Sequence, residues 1–562
     1  MTVVRGNQMP AGNTPLRVAV LLCEHVEGLG NAVNLAAIQR WFAELDPTVV
    51  FQVVPQLCTA PAGLPELLTA LAVDRVVFGL CREQRRPEHI ATQVREAGLD
   101  PLGLETVNLG LMTSTRTDPE TATRAGCLLL AGAVAKVRTY PGSSVDNVKP
   151  RLPTRLSRRS FLGLPLLTYE VVPSILRSRC VAERGCTLCA QACPYGALKA
   201  QDGEILLEKT RCQSCAFCVT ACPREAVYFP GSTSAQIEAQ VRALLASDTE
   251  HAQSHGILYV CGHNATARAS MHPGWLPVQL PCVAMVPPTW YLAPLLLGAH
   301  AVGVWPCNEQ CSQTLTQTIA ERVHFAQHFL EAVGLPSDLI QYRPTVTSPP
   351  AVGQSSFQIT KIQRELSDPV FSLQPKAIAS LLSKFAQRGL WDFTASSQSP
   401  PATFAHHAAP LGIVQIDETV CTACGLCADI CPTEALRAET AADYWTLRFE
   451  AMSCIACAQC VSVCPEQTRG AIRVHRVISW EQLLAGPQVV AQDRWTRCVR
   501  CGASIAPARM LNRVMALLTN ESATLHENLT AYCVSCRLIA GHSAGGSDHD
   551  TRGTARSIGS QS

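Results

Sequence analysis

Two matching runs of cysteine dominate the chemistry of this chain: Cys421-x2-Cys424-x2-Cys427-x3-Cys431-Pro432 and Cys454-x2-Cys457-x2-Cys460-x3-Cys464-Pro465. Three thiolates spaced two residues apart wrap one face of a 4Fe-4S cubane, and a fourth, set before a proline, reaches across to the neighbouring cubane. The spacing thus assigns Cys421, Cys424, Cys427 and Cys464 to one cluster and Cys454, Cys457, Cys460 and Cys431 to the other. A zinc site has no use for the third cysteine of each run or for the trailing proline. The implied chemistry is one-electron transfer, with the protein supplying ligation, burial and hydrogen bonds that tune potentials.

An earlier stretch repeats the pattern with one irregularity. Cys212-x2-Cys215-x2-Cys218-x3-Cys222-Pro223 is regular, whereas Cys186-x2-Cys189-x3-Cys193-Pro194 has Glu183 where a first cysteine belongs, with Cys180 three residues further upstream. A longer loop delivers Cys180, giving one cluster on Cys180, Cys186, Cys189 and Cys222 and another on Cys212, Cys215, Cys218 and Cys193. Without Cys180, the first would be a 3Fe-4S or ligand-labile centre. Both stretches are identified as bacterial two-cluster ferredoxin modules, at residues 179–232 and 411–478. Past them, Cys498-x2-Cys501 and Cys533-x2-Cys536 are paired knuckles separated by a helical stretch over Ala508 to Leu518. They fit a tetrahedral four-thiolate site, for zinc or alternatively iron, in a small ribbon-like domain at 490–540.

The elements between these motifs read as parallel α/β layers. Over 16–140 the periodicity predicts strands at Arg17 to Leu22, Val49 to Val54 and Arg75 to Leu80. Helices are expected at Ala32 to Leu45, Leu64 to Leu71 and Pro87 to Ala97. Cys23, Cys58 and Cys81 fall at or just past the carboxyl ends of these strands, the edge where open α/β sheets bind ligands. They are read as a further cluster site, although free cysteines are also common core residues. The domain resembles the N-terminal domain of the A-type subunits of heterodisulfide reductase, with the three cysteines in matching places and Ala125 to Arg138 like its closing helix. The family's further cysteine is absent where the chain reads Asn108-Leu109-Gly110-Leu111-Met112, and Cys127 lies inside the later helix. The family's FAD-binding insertion is missing too. Gly28-Leu29-Gly30-Asn31-Ala32-Val33 imitates a dinucleotide fingerprint but has Val33 for its third glycine, so no flavin is expected.

Strands ending at Cys261, Cys282 and Cys307, with Cys311 opening the next helix, set four more thiols on one sheet edge. This segment resembles the delta subunit of methyl-viologen-reducing hydrogenase, in its cysteines, its Gly-Ala-His-Ala-Val-Gly-Val turn and strand, and its long helix from Arg322 to Gly334. The resemblance implies a 2Fe-2S centre on Cys261, Cys282, Cys307 and Cys311. His324 and His328 share a helix face and are read as solvated positions. The apolar run Val283 to Trp305 is interrupted by prolines and reads as a buried helix opened by Thr289, then a buried strand.

With 562 residues the chain has room for about three to five domains. Its 28 cysteines lie mostly in metal-ligand spacings, which points to a reducing, cytoplasmic setting. The net charge of +2 argues against nucleic acid or an anionic membrane as partner. A charged fraction of 16%, against about 25% in average domains, suits a protein surrounded by others in a complex. No apolar run follows a basic start, so no secretory leader and no direct membrane insertion are expected. The run Ser157-Arg158-Arg159-Ser160-Phe161-Leu162-Gly163 lies behind a full domain and is read as a coincidental likeness to an export motif.

The fold class is therefore multidomain α/β and α+β, with parallel α/β layer domains alternating with ferredoxin modules. Tails are expected at 1–15 and 541–562, linkers at 141–178 and 366–410, and the delta-like domain at 233–365. The resemblances imply an electron-transfer subunit of a heterodisulfide reductase or hydrogenase-type complex, with B/C-like and flavin-bearing or hydrogenase partners. Two alternatives are a redox or iron-sulfur-sensing regulator and an autonomous reductase using the N-terminal centre. No catalytic residues stand out.

Overall fold

The run Val18–Glu24 is apolar and buried at all but its last residue, as a strand covered on both faces requires. This strand, β1, lies in a parallel sheet with β2 (Val50–Pro55), β3 (Arg75–Leu80) and β4 (Leu104–Asn108), in the order β2-β1-β3-β4. Asn34 caps the helix Leu35–Leu45 by accepting from Ala37 N at 3.0 Å. Asp118 does the same for Pro119–Arg138, accepting from the amides of Glu120 and Thr121. That helix is buried nearly all round, because the helix Ser234–Ala246 packs on it. Gly132 makes the close approach possible: a Cβ there would stand 2.9 Å from Leu244 Cγ.

The computed structural model describes residues 16–25, 32–59, 61, 63–81, 87–112, 118–143, 147–151, 168–246, 255–262, 274–306, 313–342, 368–386, 402–441, 443–518 and 528–538. The chain falls into two units, one of residues 1–413, 451–457 and 475–486, the other of 414–450, 458–474 and 487–562. Expected features at 1–15, 26–31, 157–163, 307–312 and 541–562 lie outside the described residues.

In the first unit a second parallel sheet repeats the strand order of the first. Gly256–Cys261 lies between Trp275–Leu280 and Val302–Trp305, with Ile340–Tyr342 beyond. Trp275 requires glycine beside it, since a Cβ on Gly256 would lie 2.6 Å from its ring and one on Gly303 3.2 Å. The helix Pro288–Leu296 is buried at every position, and Tyr259 donates its hydroxyl hydrogen to Trp290 O at 2.8 Å. Trp290 Nε1 in turn donates to Phe371 O at 2.7 Å.

Phe371 belongs to a segment expected as linker. It leads into the helix Pro375–Ala386, which buries Ile378, Leu381, Leu382 and Phe385. Glu238 holds this segment in place by accepting from the amides of Val370 and Phe371 at 3.2 and 3.1 Å while pairing with Arg242 at 2.7 Å. Phe329 of the helix Gln313–Ala332 meets Phe385, Phe404 and Trp480 edge-on or tilted, tying the strand pair Thr403–Ala405 and Val477–Ser479 to the same core.

In the second unit the hairpin Leu436–Thr440 and Tyr444–Phe449 continues into Gln488–Arg497 and Ser504–Pro507 as one antiparallel sheet. The C-terminal four-cysteine region thus shares a sheet with the ferredoxin hairpin instead of standing apart. Arg513 of the helix Ala508–Leu517 reaches Glu466 at 2.7 Å. Among the described residues no helix is long and apolar enough to cross a membrane.

Replacing Trp290 by Ala removes a fully buried indole and its bond to Phe371, so the delta-like domain should lose about 3–5 kcal/mol of stability. Denaturant unfolding of the full chain, followed by tryptophan fluorescence, checks this.

Candidate metal centres

The ferredoxin half-motifs share a backbone signature. In three of the four, the residues on both sides of the middle cysteine are left-handed: Ser214 and Ala216, Ala423 and Gly425, Ala456 and Ala458. Each non-glycine residue so placed costs about 1–2 kcal/mol. The turn also aims amides at sulfur: Ser214 N donates to Cys212 Sγ and Ala423 N to Cys421 Sγ, each at 3.4 Å. Further amides, of Ala197 and Ala226, donate to Cys193 Sγ and Cys222 Sγ at 3.3 Å. Such donors stabilise the more negative, reduced form of a cluster and raise its potential.

The irregular half lacks the left-handed pair. It turns instead through Ala182–Arg184 and enters the short helix Leu188–Ala192 at Thr187. Glu183 is exposed there, beside Gly203. Cys180 lies with the other thiols. Burial pushes the Cys189 thiol up to about 12, and the nearby Cys222, Cys186 and Cys180 push in the same direction. Burial also raises Cys186, which feels Cys222, Cys180 and, from the C-terminal module, Cys457. For the other quartet, burial raises Cys212 and takes Cys215 to about 11; Cys218, raised furthest, feels Cys215, Cys212, Cys189 and Cys193.

In the second unit, burial pushes Cys427 up to about 12, with Cys421, Cys424 and Cys464 adding to it, so the three cysteines of one run and the last of the other lie together. Cys464 is raised by burial, with Cys424 and Cys421 adding to it. This quartet fits the exchange of fourth ligands that a pair of cubanes needs. The remaining quartet is divided, Cys454 and Cys457 in the first unit and Cys431 and Cys460 in the second.

In the delta-like domain Cys261 ends its strand and Cys282 opens the turn Val283–Met285, both buried; Cys307 and Cys311 lie outside the described residues. The short helix Phe217–Thr220, which carries Cys218, packs on that turn. Arg322 spans the contact. It donates to Ala284 O at 2.8 Å and Val286 O at 2.9 Å, and lies over the Phe217 ring at 4.7 Å. Burial pulls its guanidinium down to about 10. Sequence reasoning passed over this role for Arg322, because a basic residue in an amphipathic helix carries no mark of its partners.

Three groups of side chains bring their donor atoms within 4.8 Å of one another among the described residues. Cys498, Cys501, Cys533 and Cys536 form one, with Cys501 and Cys533 Sγ 3.6 Å apart. The amides of Cys533, Cys501 and Arg500 hold the Cys498 thiol down to about 6. Cys23, Cys58 and Cys81 form another, with His25 set against Cys58 and Cys81. Cys127 is buried elsewhere in its helix, where burial takes its thiol up to about 12. His324 and His328 meet His406 in the third, and His324 Nδ1 lies 3.1 Å from His406 Nε2. His406 stands 82 residues from His324, so no local pattern could reveal the meeting.

Residues 256–357 match the family model for the delta subunit of methyl-viologen-reducing hydrogenase, 420–469 that for a 4Fe-4S dicluster domain, and 209–228 that for a 4Fe-4S binding domain. Among curated proteins, the A-type iron-sulfur subunit of the CoB--CoM heterodisulfide reductase of Methanocaldococcus jannaschii is 30% identical over 126 residues, 22% of this chain and 19% of that protein. The A-type subunit of the H(2)/formate:CoB-CoM heterodisulfide,ferredoxin reductase of Methanococcus maripaludis is 27% identical over 137 residues, 23% of this chain and 21% of that one. The chain spans about a fifth of the length of these relatives. The expected resemblances to both families are thereby met, and the chain carries 4Fe-4S-binding modules.

Replacing Cys180 by Ser should cost the first module one cubane, as conversion to a three-iron form or outright loss, while Glu183→Ala leaves the cluster content unchanged. Electron paramagnetic resonance of oxidised and reduced samples separates the two.

Proposed function

We propose that the chain is an iron-sulfur electron-transfer subunit of a heterodisulfide reductase or hydrogenase-type complex in the cytoplasm. In this reading it relays electrons between a flavin-bearing or hydrogenase partner and a disulfide- or quinone-reducing partner. One observation carries the reading: the helix bearing Cys218 packs on the turn that follows Cys282, with Arg322 bridging them. A ferredoxin ligand set thus stands beside the delta-like site, as a relay requires. The proximity of Cys186 to Cys457 extends the same succession toward the C-terminal module.

The chain's own residues have definite tasks here. Cys180, Cys186, Cys189 and Cys222, then Cys212, Cys215, Cys218 and Cys193, would hold two cubanes. Cys421, Cys424, Cys427 and Cys464, then Cys454, Cys457, Cys460 and Cys431, would hold two more. Cys261, Cys282, Cys307 and Cys311 would hold a two-iron centre, and the four C-terminal cysteines a zinc ion. The clusters supply one-electron carriers when bound. The surrounding apolar side chains keep water from the sulfurs, and the amide donors set how readily each accepts charge. A sensing role would rest on the irregular Cys180 set and on the Cys23, Cys58 and Cys81 site, and four cubane sites exceed what sensing needs.

Four cubanes and one two-iron centre amount to about eighteen irons per chain, without stoichiometric flavin. Fewer than about ten irons after anaerobic reconstitution would sink the relay. A sharper test compares the assembled complex with and without Cys424→Ser. Donor-to-acceptor rates should fall at least about tenfold at equal subunit stoichiometry, because serine is a poorer iron ligand than thiolate. Unchanged rates after verified loss of that cluster would rule out an obligatory path through this module.

A further inference from the structure

Residues four apart on a helix stand one above the other. His324 and His328 do so on the helix Gln313–Ala332, with ring centroids 3.8 Å apart. The opposite side of that helix is buried through Ile319, Val323, Ala326 and Phe329, so the turn carrying the two rings is fixed from behind. His406 reaches the pair from the end of the strand Thr403–Ala405, which Val477–Ser479 holds in a ladder. Its amide donates to Arg476 O at 3.3 Å, and its ring meets Phe325 edge-on at 5.5 Å. All of these residues belong to the first unit.

One ring nitrogen from each of the three histidines lies within 4.8 Å of the other two. His324 Nδ1 and His406 Nε2 stand 3.1 Å apart. Imidazole nitrogens bound at about 2.05 Å to one ion are about 2.9 Å apart at a right angle and about 3.3 Å apart at the tetrahedral angle. The pair therefore has the spacing of two ligands on one ion. Ala408 N donates to His406 Nδ1 at 3.0 Å, so that nitrogen is bare and the ring's proton sits on Nε2, facing the bare Nδ1 of His324. A single proton thus joins the two rings, in the place a cation would take. When a cation takes it, the proton moves to His406 Nδ1 and the Ala408 amide turns to water.

No carboxylate belongs to this group; Glu321, on the preceding turn, faces His407 instead, at 4.0 Å. The set is three neutral imidazoles, two of them exposed, with a further position open to solvent. Mg2+ and Ca2+ want oxygen ligands, whereas imidazole suits Zn2+ and its neighbours, and three histidines with a water in the fourth position is a known zinc arrangement. We infer that His324, His328 and His406 bind one Zn2+ ion with a water as its fourth ligand. The ion clasps the long helix of the delta-like domain to the strand that leads into the second ferredoxin module. This stands apart from the relay reading, since none of the three residues is a cluster ligand.

The test uses the full chain, reconstituted anaerobically with iron and sulfide and then titrated with Zn2+. Wild type should take up about one zinc more than the double variant His324→Ala/His328→Ala, at equal iron and sulfide. Both positions are exposed, so the variant keeps its fold, and any ion on the C-terminal cysteines is common to both proteins. Zinc-edge X-ray absorption should show nitrogen neighbours in wild type that the double variant lacks. His328→Ala alone should weaken uptake at least about tenfold. His328→Cys should restore it, with sulfur in place of one nitrogen. Equal zinc counts in wild type and the double variant would overturn the proposal, as would a wild-type zinc spectrum without nitrogen neighbours.

Discussion

A thiol taken out of water resists ionisation, yet only the thiolate binds a metal, and this chain buries most of its ligands. Burial takes Cys189 and Cys427 to about 12, Cys215 to about 11, and Cys218 well above its ordinary value. Metal ligation reverses this by expelling the protons, so folding of the small modules and metal loading are coupled. The left-handed alanines and serine beside the middle cysteines add to the debt, each holding a conformation the backbone avoids. In the first module the hairpin is short, and Pro173, Leu198 and Leu207 line the pocket beside Cys193, Cys212, Cys215 and Cys218.

The parallel sheets answer to a different constraint. Their central strands are apolar on both faces and draw their packing from the sheet and its helices, so the cysteines at their edges sit on prebuilt ground. The ferredoxin module meets this rigid ground at the helix Phe217–Thr220, where the part-buried Arg322 has backbone carbonyls for partners and an aromatic face beneath it. A guanidinium there fixes two loops at once, and no carboxylate is needed to keep it charged.

Much of this was legible in the sequence. The strands Arg75–Leu80 and Val302–Trp305 and the helix Leu64–Leu71 lie where apolar runs and turn residues place them, within a residue or so. Cysteine spacing in the ferredoxin runs marked them directly as 4Fe-4S-binding modules, because those loops are local. What escaped was long-range. His25 meets Cys58 and Cys81 from far along the chain, and His406 gains meaning only beside His324. The helix Pro375–Ala386 is amphipathic, but its partners lie far back in the chain, so the segment read as linker. Arg75, almost fully buried over the Tyr140 ring, likewise shows nothing locally that distinguishes it from a surface arginine.

Building one sheet order twice in a single polypeptide creates a hazard during synthesis, when strands of one copy can insert into the other. The two cores are made of different material. The first combines an aliphatic run, from Val18 through Leu22 and Val76 to Val77, with Phe42 and Phe78, whereas the second is built on the larger rings of Tyr259, Trp275, Trp290 and Tyr291. Trp275 fits only between two glycines, and the first sheet offers Val18, Ala19 and Val76 near the corresponding rows. A mispaired strand would thus meet a steric wall at its first residue, so the bulk of one indole helps each half of the nascent chain find its own partners.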